Sequence, residues 1–179
     1  MVDITYFVHG TTVDNEQGLA TGWLPGKLSE TGRKQAIALP KQIDGKVFDV
    51  MICSDLRRAI DSAELGFKNR CPIVQDVRLR ECNYGEFDGT EKSFKSTMLP
   101  YIDVPYPGGE SYRDVERRMA SFLDDMRAEY DGKQVAVMAH EAPQLALEVL
   151  LHGKTWHQAI AENWRKTGAW QPGWQYILS

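Results

Sequence analysis

Three apolar stretches of the chain each run directly into a polar group that can do chemistry. Residues 4–8 lead into His9 and Gly10. Residues 48–53 lead into Ser54, with Arg58 one helical turn further on, and residues 135–139 lead into His140. Short runs this continuous in apolar residues are expected of strands buried on both faces of an α/β sheet. In an open parallel sheet, ligands bind beyond the carboxyl ends of the strands, at a topological switch point. If these strands are neighbours, two imidazoles and a guanidinium converge on one crevice, and helix N-termini opening there add backbone N–H donors. That combination suits an anion. The histidines show neither H-x-x-E-H nor H-E-x-x-H spacing and no cysteine pair joins them, so no metal site is expected.

The elements that must hold these groups alternate in type. Residues 72–74 and 174–178 add two short strands. A helix is expected from residues 28–29 to 43, with Ser29 as N-cap and Ala36, Ile37, Leu39 and Ile43 apolar. Pro40 predicts a kink or an early end to it. Ser54 is a candidate cap for a second helix, with Leu56, Ala59, Ile60 and Ala63 on one face. Over residues 112–130, Val115, Met119, Phe122, Met126 and Tyr130 follow helical spacing with charges on the opposite face. Helices over 142–151 and 155–164 follow. Strands alternating with helices imply right-handed βαβ units and a mostly parallel sheet. Three prolines and two glycines make residues 90–111 read as a long loop or lid. His152 and His157 read as surface residues, and the tryptophans at 156, 164, 170 and 174 as packing around the last strand.

Composition narrows the classes. With 179 residues the chain is expected to be one domain, residues 1–179. At 42% hydrophobic and 10% aromatic it can build a core, which argues against disorder. A net charge of -4 offers nucleic acid and anionic membranes no overall attraction. No apolar run approaches the roughly 18 residues of a membrane span, and no signal-peptide pattern opens the chain. Cys53, Cys71 and Cys82 are odd in number and lack C-x-x-C spacing, against a disulfide framework. A cytoplasmic location is expected.

The motifs around these residues resemble those of the histidine phosphatase, or phosphoglycerate-mutase-like, superfamily. Phe7-Val8-His9-Gly10-Thr11-Thr12 with Asn15 is similar to its Arg-His-Gly signature, and Leu28-Ser29 through Gln35-Ala36 to the stretch that follows. Ser54-Asp55-Leu56-Arg57-Arg58-Ala59 matches Ser-x-Leu-x-Arg-Ala. Leu79 to Gly89 resembles the segment that carries an acid/base glutamate, and Pro107-Gly108-Gly109-Glu110-Ser111 and Val137-Met138-Ala139-His140 complete the order. The resemblance implies a three-layer sandwich with a mostly parallel central sheet. It implies a phosphomonoester phosphatase in which His9 is the nucleophile, Glu81 the general acid and base, and His140 a cationic stabiliser. Arg58, Asn15 and Gly10 would bind phosphate. No cofactor or metal is implied. The expected substrate is a small phosphorylated metabolite, with homodimerisation left open.

The sequence also departs from that pattern. Val8 stands where the family carries an arginine, Thr11 replaces an acidic residue, and Glu141 replaces a glycine. Lys27, Arg57 and Arg80 are candidates to make up the missing charge. A second reading therefore stands beside the first: a weak or inactive member that serves as a phosphate-ligand binding or regulatory module.

Overall fold

The computed structural model describes residues 1–43, 45–168 and 171–179. Five strands form one sheet: β1 (Val2–Val8), β2 (Val50–Cys53), β3 (Ile73–Gln75), β4 (Gln134–Ala139) and β5 (Trp174–Leu178). Their order is β3-β2-β4-β1-β5, parallel throughout except for β5, which runs antiparallel to β1 at the edge. β1 and β2 lie on opposite sides of β4, so the chain changes direction of winding there. The register pairs Val8 with Ala139 and Cys53 with Met138, so the three inner strands end within one residue of each other. The ladder continues one step past them: His9 N donates to Ala139 O at 3.1 Å and Ser54 N to Met138 O at 3.0 Å.

Alternation along the strands divides the core into two layers. Ile4, Tyr6, Ile52, Val135 and Val137 face α4 (Tyr112–Glu129), α5 (Glu141–His152) and α6 (Trp156–Ala161). Phe7, Met51, Cys53, Ala136 and Met138 face α2 (Glu30–Gln42) and α3 (Arg57–Phe67), meeting Leu39, Ala59, Ala63 and Phe67. Two short helices, α1 (Val13–Glu16) and α7 (Trp164–Thr167), sit near the strand ends. No helix among the described residues is long and apolar enough to cross a membrane.

The helices follow their sequence signals with three instructive differences. Ser29 caps α2 by accepting from Gly32 N, and Pro40 lies in the last turn of a helix that stops at Gln42. Ser54 does not cap α3: Leu56 is the N-cap, and Ser54 Oγ accepts from Leu56 N in the turn before it. The single helix expected over 155–164 is two, because the Asn163 side chain accepts from Arg165 N and starts α7 afresh. Residues 90–111 carry 3-10 turns at Lys92–Thr97 and Leu99–Tyr101 rather than open coil. Phe87 stacks on Phe94 at 5.1 Å and Tyr101 on Tyr106 at 3.8 Å, so this segment packs onto the core. Trp156 is buried, Trp164 meets Trp174 at 5.7 Å, and His152 and His157 are exposed, as expected. Trp170 lies outside the described residues.

One contact between backbones fixes the turn after β1. A Cβ on Gly10 would lie 2.4 Å from Gly32 O, and a Cβ on Gly32 would lie 1.9 Å from Thr11 O. Glycine to alanine inside a helix ordinarily stabilises by about 1 kcal/mol. Here the sign reverses: Gly32→Ala is expected to destabilise the chain by about 2–4 kcal/mol in urea denaturation. An unchanged or raised midpoint would mean that the turn and α2 are not in contact.

Candidate active site

His9 is half-buried at the end of β1, and its protonation can be read from its partners. Nδ1 lies 2.7 Å from the Gly10 carbonyl, which only accepts, so Nδ1 carries the hydrogen. Arg58 Nε, which only donates, points at Nε2 from 3.2 Å, so Nε2 carries the lone pair. The ring is therefore neutral, with its basic nitrogen turned toward the arginine. Burial, then the Arg58 charge, hold its pKa well below the usual histidine value, against a smaller upward pull from the Gly10 carbonyl.

Arg58 is buried and pinned. Nη1 donates to Leu24 O at 3.0 Å and Nη2 to Gly22 O at 2.7 Å, and these bonds hold the guanidinium with Nε toward His9. Its backbone carbonyl accepts from Ser62 Oγ, and that hydroxyl in turn accepts from Gly10 N at 3.0 Å. Gly10 was expected to contact phosphate. Its N–H is spent on Ser62 and its carbonyl on His9, so it sets the histidine's tautomer instead.

His140 follows β4 with its ring centroid 5.0 Å from that of His9. The Tyr6 hydroxyl fixes its backbone, accepting from His140 N at 3.1 Å and donating to His140 O at 2.7 Å. Both ring nitrogens are buried and have no hydrogen-bond partner among the described residues. Such groups are costly unless they serve a ligand. Burial, then Arg58 and His9, push its pKa well down, so the ring is neutral here rather than the cation expected from sequence.

Glu81 comes from the turn after the 3-10 helix Val77–Leu79. Its Oε1 accepts from Cys82 N at 2.9 Å and from Ala142 N, in the first turn of α5, at 3.0 Å. Trp23 Nε1 and Arg118 Nη2 hold its backbone carbonyl at 2.7 and 2.9 Å. Oε2 is left for the cavity that Glu81 lines. Asn15 shares a capping box with Thr12: its Oδ1 accepts from Thr12 N, leaving the amide nitrogen to donate. His9, Asn15, Arg58 and Glu81 all line one cavity of about 680 Å³.

None of the cations expected to replace a missing arginine reaches this cavity. Arg57 pairs with Asp61 on the exposed face of α3, and Arg80 grips Asp55 through both nitrogens beneath Trp23. Lys27 is exposed and lines neither of the two cavities that contain His9. The cavity is lined instead by Lys92, Lys95, Arg165 and Lys166. Glu141 is buried there with Lys95 Nζ and Arg165 Nε each 3.0 Å from Oε2, and with Asn163 donating to Oε1. Burial alone would raise this carboxyl, but Lys95, Arg165 and Asn163 outweigh it and hold its pKa low. Sequence reasoning missed these partners because they lie beyond the helix break at Asn163 and inside the 90–111 segment. A carboxylate placed directly after His140 was the signal that could have prompted the search for them.

Two neutral histidines in the folded state carry a consequence for stability. The unfolded chain binds protons on both as pH falls below about 6.5, while the folded chain does not, so stability rises with pH through that range. Urea unfolding should lose up to about 1.4 kcal/mol per pH unit per histidine below pH 6.5, until the folded values are reached. A His140→Ala variant should show a shallower slope. An equal slope would mean that His140 titrates normally in the fold.

Residues 6–172 match the model of the histidine phosphatase superfamily, branch 1. Phosphoserine phosphatase 1 of Hydrogenobacter thermophilus is 26% identical over 163 residues, covering 86% of this chain and 77% of that protein. A 2,3-bisphosphoglycerate-dependent phosphoglycerate mutase of Methylobacterium sp. is 31% identical over 165 residues, covering 82% and 79%. Among solved structures, a mycobacterial glucosyl-3-phosphoglycerate phosphatase in complex with VO3 superposes with a TM-score of 0.77. It is 28% identical to this chain, over 89% of this chain and 86% of that one.

Proposed function

We propose that this chain, which belongs to the histidine phosphatase superfamily, branch 1, is a phosphomonoester phosphatase that works through a phosphohistidine on His9. The observation that carries this reading is the tautomer. A neutral imidazole with Nδ1–H on a backbone carbonyl has its lone pair on Nε2, beside a buried guanidinium.

In the first step the Nε2 lone pair attacks phosphorus as the ester P–O bond breaks. Glu81 gives its proton to the departing alcohol oxygen. Arg58 Nε–H turns from Nε2, now bonded to phosphorus, to a phosphoryl oxygen. The unspent N–H of His140 and the Asn15 amide donate to the others, a preorganised set that meets negative charge as it shifts. Near a bound dianion His140 gains affinity for a proton, which restores its cationic role. In the second step Glu81, now a carboxylate, takes a proton from water as the water oxygen attacks phosphorus. The P–N bond breaks and its electron pair returns to Nε2.

Hydrolysis is preferred to return of the phosphoryl group because the cavity of about 680 Å³ leaves room for water beside His9. The 90–111 segment beside it is a modest insertion, which contributes Lys92, Lys95, Ser96 and Met98 to the lining. The substrate is a small phosphorylated metabolite. The rival reading, a binding module without turnover, rests on Val8, whose half-buried side chain packs on the apolar core and brings no charge.

Phosphate release from an aryl phosphate tests both. Turnover should persist in EDTA and be lost in His9→Ala, and Glu81→Gln should lower it by about 10²–10⁴-fold. The acid limb of the rate profile should fall below the usual histidine range, because His9 stays neutral there. Turnover that survives His9→Ala would overturn the reading, and phosphate binding without any turnover would favour the module.

A further inference from the structure

We propose that Arg165, oriented by the buried carboxylate of Glu141, is a phosphate-binding cation of this site and supplies the charge that Val8 does not. The proposal rests on the reading of the cavity as a phosphoryl site.

Two cavities meet at His9 and Asn15. Glu81, Lys92 and Lys95 line the first, and Val8, Gly10 and Thr11 line the second. Arg165 lines both, together with Trp164, so it stands where the cavity that Val8 lines joins the one that Glu81 lines. Its Nε lies 3.0 Å from Glu141 Oε2 as an ion pair, and its guanidinium lies 4.2 Å from the ring of Trp164. Neither Nη has a partner among the described residues. A guanidinium held by an ion pair and against a ring presents its two Nη groups as a fork, the geometry that grips two phosphate oxygens at once.

Glu141 explains why that arginine is there. The carboxylate is 4% exposed and sits in the first turn of α5, directly after His140. A lone carboxylate so close to the phosphate would repel a dianion. This one is shared by Lys95 from the 92–97 turn and by Arg165 from α7, so the trio carries one net positive charge. Both cations act on His9, lowering its proton affinity as Arg58 does. Glu141 is thus a positioning residue: it touches no reacting atom and acts through the cations that it holds. Asn163 belongs to the same device, since it donates to Glu141 Oε1 and caps the helix that carries Arg165. The departures at positions 8 and 141 then form a pair. The arginine has left the strand, and the carboxylate at the other strand end recruits its replacement from α7.

Binding of inorganic phosphate, measured by calorimetry beside turnover of an aryl phosphate, tests this. Arg165→Ala should weaken phosphate binding by about 10- to 100-fold, with Arg165→Lys recovering part of it. Val8→Arg placed in the Arg165→Ala background should restore binding. Glu141→Gln should raise KM in the native chain but add little in the Arg165→Ala background, a non-additivity that a general structural role does not produce. Arg57→Ala, on the far face of α3, controls for the loss of any surface charge. Thermal melts check that each variant is folded; in Arg165→Ala the Glu141 carboxylate keeps Lys95 and Asn163 as partners.

Phosphate binding in Arg165→Ala within about twofold of the native chain would overturn the proposal. If His9→Ala abolishes turnover at the same time, the phosphohistidine reading stands and only the role of Arg165 falls. A native chain that binds no phosphate and shows no turnover overturns both.

Discussion

The bond from His9 Nδ1 to the carbonyl of Gly10 governs the chemistry that the rest of the site can perform. It places the lone pair on Nε2 and so turns the imidazole's reactive nitrogen toward Arg58. The carbonyl can be there only because Gly10 and Gly32 let the turn after β1 press against α2, and because Ser62 takes the Gly10 N–H. Position, tautomer and backbone packing are one constraint. The parallel register of β1 and β2 on β4 then brings His140 and the helix carrying Arg58 to the same level.

Electrostatics sets the other half of the design. In the proposed reaction the nucleophile must be neutral, while the phosphate it would attack needs positive charge around it. Burial and the Arg58 guanidinium reconcile the two by making protonation of His9 and His140 unfavourable. The cost appears as two nitrogens on a fully buried ring that have no partner among the described residues, a destabilising feature that the proposed function would put to use. Glu81 is handled differently, with one oxygen fixed by two backbone N–H groups and the other left for the cavity.

Much of this was legible in the sequence because it depends on local pattern. Apolar runs marked β1, β2 and β4, helical spacing marked Val115 to Met126, and the polar residues at or just past the strand ends marked His9, Arg58 and His140. What escaped were contacts made across the chain. Nothing near Gly10 in sequence says that its N–H is taken by Ser62. Arg80 is held by Asp55, 25 positions earlier in the chain, whereas Arg57 pairs one turn on with Asp61, a contact that helical spacing does offer. The helix expected over 155–164 hid the break at Asn163, since an apolar pattern does not record a side chain that caps a new helix. Lys95 and Arg165 meet Glu141 from 46 positions before it and from beyond the break at Asn163, separations that no local pattern spans.

The central claim is that phosphorus bonds to His9 Nε2. It is tested most directly by mixing the native chain with a labelled aryl phosphate, quenching in alkali within milliseconds to seconds, and mapping the label by peptide mass spectrometry. The account predicts an alkali-stable, acid-labile phosphate on the peptide that contains His9, and none on that peptide from His9→Ala. Label on a serine or aspartate, or turnover with no labelled enzyme at any time point, would contradict it.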